Sequence, residues 1–408
     1  MNKSLSSLRK IVSQKWGLIF FSIMSLFSLA RLLHQTAPGH YRVFTRAALK
    51  LWAQQNAYGS DLGTGVGYWF YSPTCGMLFF GPFALLPEPV GLALYMILSW
   101  ALLTWGIHRF LKSLAPFKIS ARTENWFWFA LTSQMVGAIL ASKVEIFMVG
   151  GLLLSCAWLL EGRRLQAGIF LSLLLNWKFQ PLPSLLLLTL VVVFLRKDWK
   201  FPLTLILGWI GWSLLPLLYL GKTLFLEIHS TWSSTFSSFV HEGWKDFENL
   251  FAFMQNSLDL SLTYQDTQIL SVLFGVGCAA VLSFWLHHHK SQADYALKGG
   301  TLLALALGST FICIFSPLGQ NNALILFTPL LIAGFFSFDS AKGTLREVWR
   351  LALLCLWAVM TLPYSDLVPM QERVMLRHFV VKPPGILLFS ALLMSLIFGR
   401  KWLVSRVD

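Results

Sequence analysis

The chain has 408 residues, of which 56% are hydrophobic and only 12% are charged. A soluble domain carries about a quarter of its residues as charged side chains, so this composition excludes an ordinary water-soluble protein. In a soluble protein the net charge of +14 would suggest nucleic acid, but in a membrane protein basic residues first indicate orientation, and no nucleic-acid partner is expected.

Apolar runs of about 20 residues predict about twelve membrane crossings within a single integral membrane domain, residues 1–408. The run after Lys15 is long and lacks a small-residue cleavage site, so it is interpreted as a retained first helix rather than a signal peptide. The predicted crossings lie near Gly17 to Leu33, Val90 to Phe110, Asn125 to Ala141, Val144 to Leu160, Ala167 to Phe179, Pro181 to Leu195, Pro202 to Leu220, Gln268 to Leu286, Gly299 to Phe315, Ala323 to Phe338, Leu351 to Tyr364 and Gly385 to Phe398.

The distribution of Lys and Arg predicts the orientation of the chain. Basic residues concentrate in short loops on one side, which the positive-inside rule assigns to the cytoplasm together with both termini. Three long segments then face outward, residues 34–89, 221–267 and 365–384, and function is expected on that face because binding residues concentrate in loops. Near the predicted span ends, an interfacial belt of tryptophans is expected. Its members are Trp16, Trp52, Trp69, Trp126, Trp199 and Trp402.

The first long segment, residues 34–89, contains a helical pattern from Val43 to Gln55. Its apolar residues recur at helical spacing opposite its basic ones, as in a helix that lies along the membrane interface. The apolar members are Phe44, Ala47, Ala48 and Leu51, and the basic ones are Arg42, Arg46 and Lys50. Further on, Met77 to Leu86 is too short to span a bilayer and is expected to be re-entrant or interfacial.

Lys178 is the sharpest polar feature, because it stands beside prolines at the junction of two predicted spans. Broken helices at membrane depth are tolerated where they line a cavity. A buried ammonium group requires an anion, and a lipid phosphate is the anion available at that depth. The alternative is that Lys178 extends to the interface without binding a ligand.

Two other polar groups interrupt apolar runs on the expected outer face. Lys143 and Glu145 lie between two spans, where they either cap a tight turn or bind substrate. Gln320, Asn321 and Asn322 form a run of amides that either caps helices or hydrogen-bonds a polyhydroxylated ligand. The five cysteines show no disulfide or zinc spacing, and neither a metal nor a cofactor is expected.

The order of these motifs resembles glycosyltransferase family 87, membrane enzymes of the GT-C fold that depend on polyprenyl-phosphate sugars. The similarity runs from about His40 to Asn322. The corresponding pieces are Tyr41 to Ala48, Tyr58, Tyr71-Ser72-Pro73, Leu86-Pro87, Ser142 to Glu145, Lys178 to Pro181 and Ser316-Pro317, with a weaker echo at Gln255 to Leu258. The resemblance implies an all-α polytopic bundle of about twelve transmembrane helices, with interfacial helices in the first long segment.

The resemblance also implies a set of site residues. The family's catalytic Asp falls on His40, with Asp61 as a reserve carboxylate, and the family's paired histidines fall on Asn321 and Asn322. Lys178 is expected to bind the donor phosphate close to the first long segment, assisted by Arg42 or Arg46. The substrate-binding residues are then Lys143, Glu145, Gln320, Asn321 and Asn322.

The expected activity is an inverting transfer of a sugar, mannose by default, from a polyprenyl-phosphate carrier to a lipid or glycan acceptor. The reaction would take place at the outer face of a bacterial plasma membrane, among membrane lipids. Two alternatives remain open. Buried charges also suit a transporter or flippase of lipid-linked sugars, although no convincing inverted repeat is visible. The missing Asp would suit a catalytically inactive relative that binds the lipid.

Overall fold

A computed structural model describes residues 2–34, 39–58, 62, 69, 71–115, 117, 119–243, 250–260, 263–315, 325–361, 385–387 and 389–390. Within these ranges every regular element is a helix and none is a strand. The predicted all-α class is therefore confirmed for the described part of the chain.

The helices follow one another with short connections. Their bounds are α1 Asn2–His34, α2 Gly39–Trp52, a π-helix Cys75–Phe80, α3 Gly81–Ala84, α4 Glu88–Ser113, α5 Ala121–Leu140, α6 Glu145–Leu160, α7 Arg164–Trp177, α8 Leu182–Arg196, α9 Lys200–Leu214, α10 Leu217–Gly243, α11 Leu250–Leu258, α12 Tyr264–His289, α13 Ala293–Phe315, α14 Thr328–Ser340 and α15 Thr344–Thr361. Each apolar run predicted up to Tyr364 falls largely on one of these helices, while Gly385 to Phe398 lies mostly outside the described residues.

Helix length and composition fit a membrane protein. Among the described helices, 4 are long and apolar enough to cross a bilayer: Lys15–His34 within α1, α4, α12 and α13. A fifth span results if α9 and the first part of α10 form one broken crossing. The shorter apolar helices include α6 and α8, so the predicted count of about twelve crossings and the GT-C arrangement stay predictions.

The bundle is held together by close helix pairs, with α4 on α6, α1 on α5, α8 on α13 and α7 on α9. The α4–α6 pair shows how they approach. A Cβ placed on Gly106 would lie 2.2 Å from the carbonyl oxygen of Gly150, and a Cβ on Gly150 would lie 2.5 Å from the backbone nitrogen of Leu103. Small residues let backbones meet in membrane bundles, and here only glycine fits on either side of the contact.

The first long segment folds onto this bundle through α2. Its apolar face is buried as the helical spacing predicts, with Phe44 exposed by 3% and Ala47, Ala48 and Leu51 by 0%. The stretch expected to be re-entrant or interfacial forms the π-helix and α3. It packs so tightly on α2 that a Cβ on Gly76 would lie 2.7 Å from Leu51, and Trp52 Nε1 donates a hydrogen bond to the Met77 carbonyl oxygen.

Trp69 corrects the expectation of an interfacial tryptophan belt. Trp126 and Trp199 are exposed, as belt residues would be, but Trp69 is fully buried. Its ring packs on Tyr71 and Phe44, with centroid distances of 5.1 and 5.9 Å. A tryptophan near the end of a predicted span can therefore lie at the interface or, like Trp69, fill the core of the first long segment. The sequence position alone did not distinguish these two cases.

α9 and α10 meet at a sharp bend of 82°. Pro216 lies in the gap between them, where a proline interrupts the helical hydrogen bonds. After the bend, α10 runs beside the first long segment. The Tyr219 hydroxyl donates a hydrogen bond to the Trp52 carbonyl oxygen, and Asn56 Nδ2 donates one to Thr231 Oγ1 at 3.1 Å.

Candidate functional site

The break between α7 and α8 positions Lys178. α7 ends at Trp177, and Lys178 itself is extended, with φ −154° and ψ 133°. α8 then begins with Pro183 in its first turn, where the missing N–H costs nothing. The side chain of Lys178 is only 7% exposed, so the predicted proline-broken junction with a buried cation is confirmed.

Lys178 has two described partners. Its Nζ lies 2.5 Å from Oε1 of Glu145, whose side chain is 2% exposed. Its Nζ also lies 3.5 Å from the hydroxyl oxygen of Tyr71 and 5.2 Å from the centroid of the Tyr71 ring. The ammonium group is therefore held between a carboxylate on one helix and an aromatic ring on the first long segment.

The turn between α5 and α6 places Lys143 and Glu145 in the interior. Ser142 adopts a left-handed conformation, with φ 52°, and the two charged residues that follow are 5% and 1% exposed. Burial lowers the pKa of Lys143, the Glu145 carboxylate opposes this shift, and the Lys178 ammonium adds to it. This turn therefore carries charges that face the protein interior and not the surface.

Glu145 uses only one of its two oxygens in the described structure. Oε1 accepts from Lys178, whereas Oε2 is buried and has no hydrogen-bond partner there. Because a buried carboxylate oxygen without a donor is costly, Oε2 is a place where a ligand hydroxyl or a neighbouring ammonium group could bind.

His40 joins these three residues from the first turn of α2. The pKa of His40 is lowered from 6.5 to about 4, chiefly by burial; the charges of Lys143 and Lys178 contribute to this shift, and Glu145 opposes it. The imidazole is therefore neutral at pH 7. Electrostatic interactions link these four residues. They are named the charged cluster below: His40, Lys143, Glu145 and Lys178.

Polar contacts fix the backbone around the charged cluster. The Ser72 hydroxyl donates a hydrogen bond to Oδ1 of Asn176 at 3.0 Å, and Nδ2 of Asn176 donates one to Ser213 at 2.7 Å. Ser72 follows Tyr71 in the chain, and Asn176 lies two residues before Lys178. The first long segment, α7 and α9 are thus tied together at this point.

Aromatic rings pack on both sides of the Lys178 break. On one side Phe79 stacks on Trp177, the residue before Lys178, with centroids 4.2 Å apart. On the other side Phe179 packs on Trp232 and Phe236 of α10, with centroids 6.4 and 5.8 Å apart. Such pairs add to the stability gained by burial, and here they hold the residues that flank the amine.

Two of the predicted phosphate ligands make contacts elsewhere. Arg42 Nε lies 2.9 Å from Oε1 of Glu88 in a partly exposed ion pair. Arg46 is exposed, and its Nη1 donates a hydrogen bond to the Leu62 carbonyl oxygen at 2.8 Å. The other predicted site residues, Asp61, Gln320, Asn321 and Asn322, lie outside the described residues.

The sequence-based assignment missed Tyr71, which contacts Lys178, and it did not single out Gln180, two residues after Lys178. Tyr71 belongs to the Tyr-Ser-Pro piece of the family resemblance, which could have indicated it. Gln180 lies between Lys178 and Pro181 and is 7% exposed, and both polar atoms of its amide are buried without hydrogen-bond partners in the described structure. The place of this amide inside a proline-broken junction could have indicated Gln180, because a buried polar group seldom lacks a hydrogen-bond partner.

The charged cluster is suited to an anion. Two buried lysines, Lys143 and Lys178, lie where they act on the same carboxylate, Glu145. A phosphodiester carries a negative charge, and buried ammonium groups are suited to stabilise it. Among the described residues, no group of three or more His, Cys, Asp or Glu side chains is arranged to hold a metal ion.

Comparison with known proteins gives one family match. The model of glycosyltransferase family 87 matches residues 69–317, which is more than half of the chain and includes Tyr71, Lys143, Glu145 and Lys178, but not His40. No curated protein matches the chain. The matched family, together with the all-helical architecture and the buried cationic junction, shows that this chain belongs to glycosyltransferase family 87 and indicates a glycosyltransferase.

Proposed function

We propose that this protein is an inverting glycosyltransferase that takes a sugar, mannose by default, from a polyprenyl-phosphate carrier. The acceptor is a hydroxyl group of a lipid or glycan. The protein would lie in a bacterial plasma membrane with both termini in the cytoplasm, and the charged cluster would face the outer side.

One observation carries this proposal. A buried ammonium group, Lys178, stands at a helix break beside Tyr71 of the first long segment. A membrane glycosyltransferase that uses a lipid-linked donor has to hold a phosphate at the depth of the lipid head groups. Lys178 supplies the charge for that task, and Lys143 adds a second cation to the same cluster.

The reaction needs two kinds of assistance from the protein. The acceptor oxygen attacks the anomeric carbon while the bond between that carbon and the phosphate oxygen breaks. The phosphate gains negative charge as it leaves, so cations fixed beside it stabilise the transition state more than the ground state. Lys178 and Lys143 take that role, and Arg42 or Arg46 assists if either is released from its present contact.

The acceptor hydroxyl must also lose its proton. His40 takes this role, because its depressed pKa keeps the imidazole unprotonated at neutral pH. Asp61 is the reserve base. Glu145 and the amides Gln320, Asn321 and Asn322 bind sugar or acceptor hydroxyls, and Gln180 joins them because its amide has no partner in the described structure.

The test is sugar transfer by the purified protein in vesicles. Radiolabelled mannosyl polyprenyl phosphate is supplied with a mixture of lipid and glycan acceptors, and other hexosyl donors are run in parallel. Labelled product that depends on the protein supports the transferase.

The same assay separates the two alternatives. Movement of the labelled donor across the vesicle membrane without product would identify a flippase of lipid-linked sugars. Saturable donor binding with neither movement nor product would identify an inactive lipid-binding relative, which the His at the family's Asp position motivates. Either result would overturn the proposed transfer.

A further inference from the structure

We propose that a cavity between the beginnings of α7 and α9 binds an anionic phospholipid of the bilayer. The phosphate would bind Arg163 and Lys200, and one acyl chain would lie along Leu203 and Leu207. This site is separate from the charged cluster, because Arg163 precedes α7 and Lys178 follows it, about 20 Å away at the rise of an α-helix. The inference therefore does not depend on the proposed sugar transfer.

α7 and α9 run side by side in the same direction. A Cβ placed on Gly168 would lie 2.8 Å from Thr204 Cγ2, and a Cβ placed on Gly208 would lie 2.3 Å from Ser172 Oγ. The contacts thus advance together along the two helices, so both helices begin at the same end of the bundle. The positive-inside rule predicts a cytoplasmic position for this end.

A cavity of about 720 Å³ lies where the two helices begin. Its size falls within the range of about 300–1,000 Å³ that is usual for small-molecule sites, so it can accept a phospholipid head group. Its lining includes three basic residues and two leucines, namely Arg163, Arg164, Lys200, Leu203 and Leu207.

The lining changes from charged to apolar along α9. Four of its residues have the spacing i, i+3, i+4 and i+7 and therefore share one face of the helix; they are Lys200, Leu203, Thr204 and Leu207. This face extends about 10 Å from the helix end. Leu203 and Leu207 are exposed by 54% and 58%, so in a bilayer they contact hydrocarbon. A cation above two leucines matches the head and the chain of a phospholipid better than it matches a soluble anion.

Asp198, an acidic residue in the lining, is already paired. It is 7% exposed, and its Oδ2 accepts a hydrogen bond from Nη1 of Arg164. Its Oδ1 accepts one from the backbone N–H of Lys200 at 3.1 Å. The charge of this carboxylate is therefore balanced by Arg164 and does not cancel that of the Lys200 ammonium group.

Arg163 is exposed beside the same cavity. Its side chain is 57% exposed, and its Nε lies 3.8 Å from Oε2 of Glu161, which is beyond hydrogen-bonding distance. The Glu161 carboxylate is held more closely by Arg109, at 2.7 Å. Basic pockets between membrane helices bind anionic lipid head groups on the cytoplasmic side, and Arg163 and Lys200 give this cavity that character.

The experiment measures lipid binding by the full-length protein. Protein in mild detergent, freed of its own lipid, is titrated with phosphatidylglycerol, and the bound lipid is counted by native mass spectrometry. Phosphatidylcholine, which has a phosphate and two chains but no net charge, is one control ligand. Glycerol 3-phosphate, which has an anionic head but no chains, is the other. We expect saturable binding of phosphatidylglycerol, about fivefold or more tighter than that of phosphatidylcholine, and no competition by glycerol 3-phosphate.

Two variants test the residues. K200Q and R163Q should each weaken phosphatidylglycerol binding about fivefold, because one basic residue near a membrane surface contributes about 1 kcal/mol, and phosphatidylcholine binding should not change. Both side chains are exposed, so the variants should fold, which melting curves check. R122Q is the matched control, since Arg122 is an exposed residue in the first turn of α5 and does not line the cavity. Its affinity for phosphatidylglycerol should equal that of the wild type.

Four outcomes would overturn the lipid site. Equal affinity for the two lipids would show that the negative charge is not recognised, and displacement of phosphatidylglycerol by glycerol 3-phosphate would identify a site for a soluble phosphate. An equal loss in R122Q and K200Q would indicate diffuse attraction to a basic surface. Unchanged binding in both K200Q and R163Q would place the lipid elsewhere on the protein.

Discussion

Tyr71 contacts Lys178 in two ways, with its hydroxyl oxygen 3.5 Å from Nζ and its ring centroid 5.2 Å away. The two residues are 107 positions apart in the chain. The contact confirms the expected proximity of Lys178 to the first long segment. The Lys178 amine also contacts the Glu145 carboxylate, so the three side chains are in contact through the amine and a substitution of one of them should affect the other two.

Removal of the Lys178 amine should abolish donor binding and weaken the fold. In K178A the Glu145 carboxylate is left buried without its cation, and breaking a buried pair in this way costs about 3–5 kcal/mol. We therefore expect a lower melting temperature and no saturable binding of polyprenyl phosphate. K298A is the control, since Lys298 pairs with Asp294 one turn earlier in α13; unchanged phosphate affinity in K178A would remove the proposed role.

Substitution of His40 should act on turnover and not on expression. Loss of a general base slows a reaction by about 10² to 10⁴-fold, so H40A should lose transfer while it still binds polyprenyl phosphate. H40D restores a carboxylate at the position of the family's base and should retain activity. Initial rates of sugar transfer test this, and normal turnover of H40A together with an inactive D61A would assign the base to Asp61.

His40 should also make stability depend on pH. Its pKa is lowered from 6.5 to about 4 in the folded protein, so between these values the unfolded chain binds a proton that the folded protein does not. The contribution of His40 is complete above pH 6.5 and is lost as the pH falls toward 4. The melting temperature of the wild type should therefore fall more steeply than that of H40Q as the pH is lowered from 7.5 to 4.5; parallel curves would contradict the depressed pKa.

Replacement of Gln180 by an apolar residue should reduce function without reducing the stability of the fold. Its amide is buried without partners in the described structure, so an apolar side chain of similar length removes an uncompensated desolvation cost. We expect Q180M to leave the free energy of unfolding unchanged or to raise it by about 1 kcal/mol, while transfer or acceptor affinity falls. A Q180M protein that is both stable and fully active would show that the amide binds neither substrate.

Gly221 should be required for the shape of α10. It has φ 71° and ψ 166°, a combination that is almost restricted to glycine and costs other residues about 1–3 kcal/mol. No atom lies within 4 Å of a Cβ placed there, so the loss in G221A would come from the backbone alone. Thermal unfolding of G221A should show this loss, and G211A, which also has open space around its Cβ but a helical backbone, should not.

The sequence indicated the helices more reliably than the contacts between them. Apolar runs and proline positions were sufficient to predict where α7 ends and α8 begins, because helix formation and its interruption by proline depend on residues that are close in the sequence. The inward direction of Lys143 and Glu145 was not predictable, since it depends on the left-handed Ser142 and on the partner Lys178, which lies on another helix. The ion pair between Arg42 and Glu88 was not predictable for a similar reason, because it joins two helices, α2 and α4, that the sequence does not show to be adjacent.

The stacking of Phe179 on Trp232 and Phe236 has a mechanical consequence. Phe179 is the neighbour of Lys178 in the chain, so a displacement of α10 pulls on the backbone beside the amine. Any ligand that displaced α10 would therefore also shift the helix break that holds the amine. The position of the amine then depends on how firmly α10 is packed, although α10 comes two helices later in the chain than α8.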